Sequence, residues 1–323
     1  MLCLLCLSLV ADTPPAKILF LGDSITFAGH YVDHVDHTLR LHAAEANQTA
    51  PEIIQIGLSS ETVCGLTEPG HPFPRPNVHF RLSRALEQIE PDVVFVCYGM
   101  NDGIYQPLSE KRFACYRDGL RKLAREVLDH GAELVLLTPP PFDAKGRTDN
   151  GKPLVTAAEQ QAGTVGLFEG YDDVLAKYAA FVLSLPSEEE FQDRSVSAID
   201  LRTPMLQATA KGRESNPTFT LAADGIHPGQ PGHLLMGEAI LRGRQAPPTR
   251  PDLESDAGRR VRALVRQRNT LLRNAWLSHI GHQHPRDFGN QPIAEATAEA
   301  MALSEKISEQ LQPVANPKPA PAL

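Results

Sequence analysis

The sequence predicts an α/β fold of three layers, in which helices cover both faces of a mostly parallel, five-stranded sheet. Five short runs of branched apolar residues recur along the first two thirds of the 323-residue chain. These runs are continuous rather than alternating, which is typical of strands that are buried on both faces. Helical patterns separate the runs, and a repeated strand–helix–strand order implies right-handed crossovers and parallel strands.

Each predicted strand is rich in valine, leucine and isoleucine. The five strands are predicted over residues 17–22, 52–57, 92–98, 133–138 and 196–201. The clearest helical pattern runs from Ser109 to His130, where apolar residues recur at steps of three and four. Ser109 is a typical N-cap residue, and Gly131 is typical of the position just after a last helical turn.

Three long insertions interrupt this alternation, and each follows the end of a predicted strand. They span residues 58–78, 139–165 and 203–223. The carboxyl ends of parallel strands lie at one edge of a sheet, where ligands bind in folds of this kind. Because long segments between elements are often functional, we expect the three insertions to surround a site at this edge.

The first residues of the chain predict export. Residues 1–16 contain an apolar run from Leu2 to Val10, which is followed by two prolines. The run is as long as the hydrophobic region of a secretory signal and too short for a membrane span. It lacks preceding basic residues, and a buried first strand is the alternative interpretation. We predict a signal peptide over 1–16 and hence a periplasmic or secreted protein.

Beyond the signal peptide, the chain is predicted to have two parts. Residues 17–245 form the α/β domain, and a proline-rich linker then marks a change in composition. Residues 246–323 form an extension with helices over 252–277 and 293–311, and we expect its Pro/Ala-rich tail to be disordered. The first of these helices is basic, so we expect it to be solvated or to pair with the acidic main domain. Its arginines are Arg259, Arg260, Arg262, Arg266, Arg268 and Arg273.

Composition argues against several classes of protein. The formal net charge is −8, from 31 basic and 39 acidic residues, so we expect neither nucleic acid nor an anionic membrane as a partner. The five cysteines form no CxxC pair in the body of the chain, so a disulfide framework or structural zinc site is not expected. No segment after residue 16 is apolar enough to suggest a membrane span.

Polar residues with catalytic chemistry occur at three places in the predicted loops. Ser24 comes directly after the first strand, Asn101 follows the third, and Asp224 and His227 precede a late helix. A serine hydroxyl becomes a nucleophile when a base takes its proton, and an acid three residues before a histidine can orient that base. Taken alone, Ser24 could be a helix cap and Asn101 a turn residue.

The motifs around these residues resemble those of a known family. GDSIT begins at Gly22, GMND at Gly99 and DGIHP at Asp224, and all three occur in this order. Together they look like blocks I, III and V of the SGNH (GDSL-type) hydrolases, and the resemblance covers roughly residues 17–245. The glycine of the remaining block corresponds to Gly57 in the stretch IIQIGLSSET.

The resemblance implies a role for each of these residues. Ser24 would be the nucleophile, His227 the general base and Asp224 the acid that orients it. The oxyanion hole would consist of the Ser24 amide, the Gly57 amide and the side-chain amide of Asn101. The implied fold is a flavodoxin-like α/β/α sandwich, and neither a metal nor an organic cofactor is implied.

The expected activity is hydrolysis of carboxylic esters through an acyl-enzyme, with removal of acetyl groups from carbohydrate as the favoured reaction. The expected partner is therefore a small-molecule or glycan ester. An acyltransferase and a non-catalytic glycan-binding protein on the same scaffold are the alternatives, since a fold alone does not determine function. Aromatic residues of the insertions and the nearby loop could face a sugar or form small local cores. They are Phe73, Tyr105, Phe142 and Phe219.

Two histidine clusters offer a competing interpretation. His30, His34 and His37 are spaced at steps of four and three, so they lie on one side of a predicted helix. Histidines at this spacing can bind a metal ion, but the HExxH pattern is missing and we favour a half-exposed polar face. The second cluster, His279, His282 and His284, is expected to form a polar turn after a helix.

Overall fold

A computed structural model describes residues 16–311, and its core is a fully parallel sheet. Five strands form the sheet in the order β2-β1-β3-β4-β5. They are β1 (Lys17–Gly22), β2 (Glu52–Gln55), β3 (Val93–Cys97), β4 (Glu133–Leu137) and β5 (Val196–Ile199). The predicted fold class is therefore confirmed, and all five strands lie where the apolar runs predict them. The predicted signal peptide, except Ala16, and the predicted disordered tail lie outside the described residues.

Eleven α-helices within residues 16–311 flank or extend the sheet. They are α1 (Ser24–Ala28), α2 (His30–Glu45), α3 (Leu82–Ile89), α4 (Glu110–Asp129), α5 (Ala144–Asp149), α6 (Ala157–Gln161), α7 (Tyr171–Ser184), α8 (Arg202–Ser215), α9 (Gln230–Gly243), α10 (Asp256–Ile280) and α11 (Ile293–Leu311). The predicted N-cap of α4 is present, because the Ser109 hydroxyl accepts from the Arg112 amide at 3.4 Å. No helix in this range has the length and apolar character needed to cross a membrane.

The third predicted insertion differs from expectation. Most of residues 203–223 belong to α8, which begins one residue earlier, at Arg202. The helix buries Met205 and Thr209, which are four residues apart, while its other positions are largely polar. So narrow an apolar stripe gives little periodic signal in the sequence, and tertiary packing stabilises the helix.

The extension packs directly on the α/β domain, with α10 against α2 and β2. Three arginines of α10 make the contact. Arg266 Nη1 lies 2.8 Å from the Asp33 carboxylate, Arg268 Nη1 donates to the Ile53 carbonyl at 3.0 Å, and Arg273 Nη1 donates to the Phe27 carbonyl at 2.7 Å. Pairing with the main domain therefore explains much of the charge on this helix.

Candidate active site

The carboxyl end of β1 presents Ser24 at the first residue of α1. Asp23 caps this short helix, because its carboxylate accepts a hydrogen bond from the Ile25 amide at 2.9 Å. Gly22 allows the close turn, since a Cβ there would lie 2.8 Å from the Cys97 carbonyl oxygen of β3. The sequence therefore places a half-buried serine hydroxyl at the sheet edge on a tightly packed turn.

Ser24, His227 and Asp224 form a continuous hydrogen-bonded chain. Ser24 Oγ lies 2.8 Å from His227 Nε2, across 203 residues of sequence. His227 Nδ1 lies 2.7 Å from Asp224 Oδ2. The carboxylate fixes the proton on Nδ1 by this hydrogen bond, which leaves Nε2 free to accept from the serine hydroxyl. The three side chains are thus arranged as nucleophile, base and orienting acid.

The loop after α8 rigidly positions this acid. Asp224 Oδ1 accepts hydrogen bonds from the amides of Ile226, at 2.9 Å, and His227, at 2.7 Å. Burial opposes ionisation of Asp224, but these amides and the imidazole outweigh it and hold the carboxyl pKa well below its usual range. The acid is therefore a carboxylate at every pH at which the imidazole titrates.

The same contact sets the titration of the base. The hydrogen bond to Asp224 raises the pKa of His227 above its ordinary 6.5, and it outweighs the opposing effect of burial. Asp23, whose own pKa is raised to about 7 chiefly by burial, also favours the charged imidazole when it is ionised. His227 consequently remains protonated to a higher pH than a free histidine does.

This shift predicts the acid limb of the activity profile. A general base must be neutral, so kcat/KM is expected to fall as the pH drops through an apparent pKa above 6.5. Asp224→Asn removes the charge that raises this pKa, so its acid limb is expected at lower pH together with a lower maximum. Steady-state kinetics of both proteins between pH 5 and 9 test this, where a limb unmoved by the substitution contradicts the assignment.

Asn101 is held by hydrogen bonds on both sides of its amide. Its Nδ2 donates to the Glu61 carbonyl at 3.1 Å, and its Oδ1 accepts from the Tyr105 hydroxyl at 3.0 Å. These contacts fix the orientation of the amide, which is 4% exposed. Within residues 16–311 the second N–H of Nδ2 has no partner, so it is available to an incoming oxygen.

Gly57 occupies a different environment from the one the resemblance implies. The amides of Ile56 and Leu58 donate to β1 carbonyls, at 3.0 and 2.9 Å. Successive amides of an extended strand point in opposite directions, so the Gly57 amide turns away from β1 and from Ser24. It donates instead to Gln55 Oε1 at 3.3 Å. The geometry therefore does not support the predicted role of the Gly57 amide as an oxyanion donor.

Packing explains why a glycine stands there. A Cβ at Gly57 would lie 2.3 Å from the Phe27 amide nitrogen, so only glycine lets β2 approach α1 this closely. After Leu58, whose amide pairs with Gly22 at the end of β1, the amides of Ser59 and Ser60 make no hydrogen bond within the described residues.

A buried ion pair that carries no recognisable motif supports Asn101. The Glu61 carboxylate accepts from Arg81 Nε and Nη2, at 2.7 and 2.6 Å, and from the Tyr98 hydroxyl at 2.5 Å. Glu61 is 0% exposed, and its backbone carbonyl is the one that holds Asn101. Since removal of one partner from a buried pair is strongly destabilising, this group fixes the loop on which Asn101 depends.

The first histidine cluster does not form a metal centre. His30, His34 and His37 line a cavity of about 220 Å³, but His34 Nε2 is engaged by Glu238 at 2.7 Å. Burial lowers the pKa of His37 to about 4, so this ring is neutral. Nowhere in residues 16–311 do three or more histidine, cysteine or acidic side chains adopt a metal-binding arrangement.

The second histidine cluster contacts the rim of the site. His284 packs edge-on against Phe73 of the first insertion, with ring centroids 4.8 Å apart. Of the other aromatic candidates, Phe142 packs edge-on against Tyr171 within the main hydrophobic core, and Phe219 covers Gly212 of α8. Tyr105 differs from these, because its hydroxyl bonds Asn101 and the residue also borders an open cavity.

Comparison with known proteins identifies sequence and fold relatives. Residues 20–235 match the sequence model of the GDSL-like lipase/acylhydrolase family. No curated protein matches the chain. Among solved structures, the acetyl xylan esterase AlAXEase has a similar fold, with a TM-score of 0.50 at 17% identity over 70% of this chain and 98% of that one.

Two further structures are similar at slightly lower scores. A catalytic mutant of the acetylxylan esterase Axe2 from Geobacillus stearothermophilus has a TM-score of 0.45 at 22% identity, covering 72% of this chain and 95% of that one. The gut microbial diltiazem-metabolizing enzyme BT4096 has a TM-score of 0.49 at 16% identity over 72% of this chain. The match spans 47% of the length of that enzyme.

Proposed function

Since the chain belongs to the GDSL-like lipase/acylhydrolase family and is an SGNH-type carboxylic-ester hydrolase, we propose that Ser24, His227 and Asp224 are its catalytic triad. The observation that supports this is the unbroken chain of hydrogen bonds, 2.8 and 2.7 Å long, from the Ser24 hydroxyl through His227 to Asp224. Hydrogen-bond contact between nucleophile, base and orienting acid is what acyl transfer through serine requires.

The reaction proceeds in two halves. His227 Nε2 takes the hydroxyl proton while Ser24 Oγ attacks the ester carbonyl, and a tetrahedral oxyanion forms. The C–O bond to the alcohol then breaks, and His227 returns the proton to the leaving oxygen. Water, activated by the same imidazole, attacks the acyl-enzyme and releases the carboxylic acid. Asp224 remains ionised throughout and stabilises the imidazolium.

The oxyanion is stabilised by donors that converge from separate loops. The free N–H of the Asn101 side chain and the Ser24 amide supply two of them. The Gly57 amide is not among these donors, because it is turned toward Gln55. Donors held in place before the reaction need no reorganisation when the charge develops.

Replacement of Asn101 tests this hole. Asn101→Ala is expected to lower kcat by roughly 10²–10³-fold with little change in KM, because the amide meets charge that develops only in the transition state. Hydrolysis of p-nitrophenyl acetate gives both constants. Asn77→Ala is the matched control, because Asn77 caps the turn at Val78–Phe80 and makes no hydrogen bond to a triad residue. A rise in KM at constant kcat would instead make Asn101 a substrate-binding residue.

For the substrate, we propose acetyl esters of carbohydrate. The fold similarity to the acetyl xylan esterase AlAXEase makes acetylated glycans the first compounds to assay. Acetate release from a panel of acetylated poly- and oligosaccharides tests the assignment, and activity confined to long-chain acyl esters would contradict it.

One assay distinguishes this function from its alternatives. The purified protein is incubated with p-nitrophenyl acetate in the presence and absence of a sugar alcohol acceptor. Release of free acetate in both conditions supports hydrolysis, and predominant acetylation of the acceptor indicates a transferase. Absence of both products supports a non-catalytic glycan-binding protein.

A further inference from the structure

A second cavity opens between two of the insertions. It has a volume of about 370 Å³ and lies between the loop that carries Glu68 and His71 and the loop that carries Val165. Tyr105 borders it, and the hydroxyl of that tyrosine donates to Asn101 Oδ1 at 3.0 Å. The cavity is therefore one side chain away from the residue that we assign to the oxyanion hole.

The side of the cavity formed by Tyr105 is held by hydrogen bonds and by a constrained backbone. Gln160 Nε2 donates to the Tyr105 carbonyl at 3.0 Å and to the Gly166 carbonyl at 2.7 Å, so it connects the loop of Tyr105 to the loop of Gly166. Ile104 and Tyr105 both have left-handed backbones, with φ values of 46° and 52°. Two consecutive non-glycine residues in this region are strained, and such strain persists where the surrounding structure holds it, often at functional sites.

The second observation is an unpaired acceptor. Both hydrogens of Gln160 Nε2 are used by the carbonyls, which fixes Oε1 on the opposite side of the amide. Within residues 16–311, this buried Oε1 has no hydrogen-bond partner. A buried acceptor without a donor is costly, so a hydroxyl group that reaches Oε1 would gain a hydrogen bond there.

The rest of the lining combines polar and apolar surfaces. The Gln106 amide can pair with hydroxyl groups, and so can the remaining lone pairs of the Glu68 carboxylate, which Arg75 already engages, and the Nε2 atom of His71, whose Nδ1 bonds the Phe73 carbonyl; Pro72 and Val165 offer apolar contacts. A pyranose ring presents hydroxyls around its edge and C–H groups on its faces, which matches this mixture. An unbranched acyl chain has no donor for Gln160 and would leave the polar groups unpaired.

We propose that this cavity binds the sugar unit of the alcohol half of the ester, with Gln160 and Val165 as specificity-determining residues. The inference rests on the proposed function, because it requires an acetylated saccharide as the substrate. It assigns the leaving group to the side of the triad on which Tyr105 lies. The acetyl group itself remains at Ser24.

A bulky side chain at the cavity mouth tests the proposal. Val165 is 74% exposed, so Val165→Trp can obstruct the cavity without disturbing the core. For acetylated xylobiose, KM is expected to rise roughly tenfold or more, whereas kcat/KM for p-nitrophenyl acetate stays within about twofold of wild type. Met301→Trp is the matched control, because Met301 is 63% exposed on α11 and lies outside this cavity.

Gln160→Met removes the amide at similar volume, and it is expected to raise KM for acetylated xylobiose as well. Activity on p-nitrophenyl acetate shows that each variant is folded. Unchanged KM for acetylated xylobiose in both variants would overturn the proposal, as would a loss restricted to longer p-nitrophenyl acyl esters. If wild type hydrolyses p-nitrophenyl acetate and no acetylated saccharide, the sugar site is refuted and the esterase assignment stands. Failure to hydrolyse either ester refutes the proposed function and this inference with it.

Discussion

Ser24→Ala is expected to abolish ester hydrolysis and to leave the fold intact. Its hydroxyl is the only group that the triad presents to an ester carbonyl, so kcat should fall by about 10⁴-fold or more. The Ser24 side chain hydrogen-bonds only His227 within the described residues, and removal of that contact leaves the core of the sheet unchanged. Kinetics with p-nitrophenyl acetate and a thermal unfolding curve measure the two effects separately.

A second serine provides the control for this substitution. Ser83 lies near the start of α3, where its hydroxyl also makes one side-chain hydrogen bond, to Glu87 at 2.6 Å. Ser83→Ala is therefore expected to retain wild-type kcat and KM. Activity of Ser24→Ala within threefold of wild type would exclude Ser24 as the nucleophile.

The second large effect is expected at His227, and His233 offers the comparison within the same stretch of chain. His227→Ala removes the base and should also lower kcat by about 10⁴-fold or more. His233 is 2% exposed in α9 and packs parallel to the Tyr31 ring at 6.0 Å, and within the described residues its side chain makes no hydrogen bond to a triad residue. His233→Ala should thus lower the free energy of unfolding, by about 1–3 kcal/mol, and leave kcat near wild type.

Measuring both kcat and thermal unfolding distinguishes the role of His227 from that of His233. Below the unfolding transition, kcat per folded molecule reports on chemistry, while the unfolding midpoint reports on packing. Equal losses of kcat for His227→Ala and His233→Ala would contradict the assignment of the base. The same conclusion follows if His227→Ala keeps a pH-dependent acid limb identical to that of wild type.

Much of this fold and of the candidate site can be predicted from the hydrophobic periodicity and from the order of the motifs. The strands are predictable because a strand buried on both faces needs a continuous apolar run, as in the Val93–Cys97 strand. Ser24, Asp224 and His227 are predictable as candidates because their residue types have specific chemistry. The direction of the Gly57 amide could not be predicted in this way. It depends on which amides of this segment pair with β1, and the residue types alone do not determine that pairing.

Contacts between distant residues are the other part that sequence reasoning could not supply. Glu61, Arg81 and Tyr98 belong to three different elements or loops, and each reads as an ordinary polar residue until folding brings them together. The position of Arg81 between the apolar residues Phe80 and Leu82 is the one available signal. It indicates a buried partner without identifying it.

The arginines of α10 have a consequence for how this enzyme can be divided. Arg273 and Arg266 donate to the carbonyls of Phe27 and Ala28, which are the last two residues of the helix that begins with Ser24. A short helix leaves its final carbonyls without intrahelical partners, and here the guanidinium groups of a segment more than 200 residues downstream supply them. A chain cut at residue 245 would keep every side chain of the triad and lose the cations that complete the nucleophile's own helix. The amino-acid composition therefore changes near residue 245, but the extension still supplies contacts that hold the helix of the nucleophile.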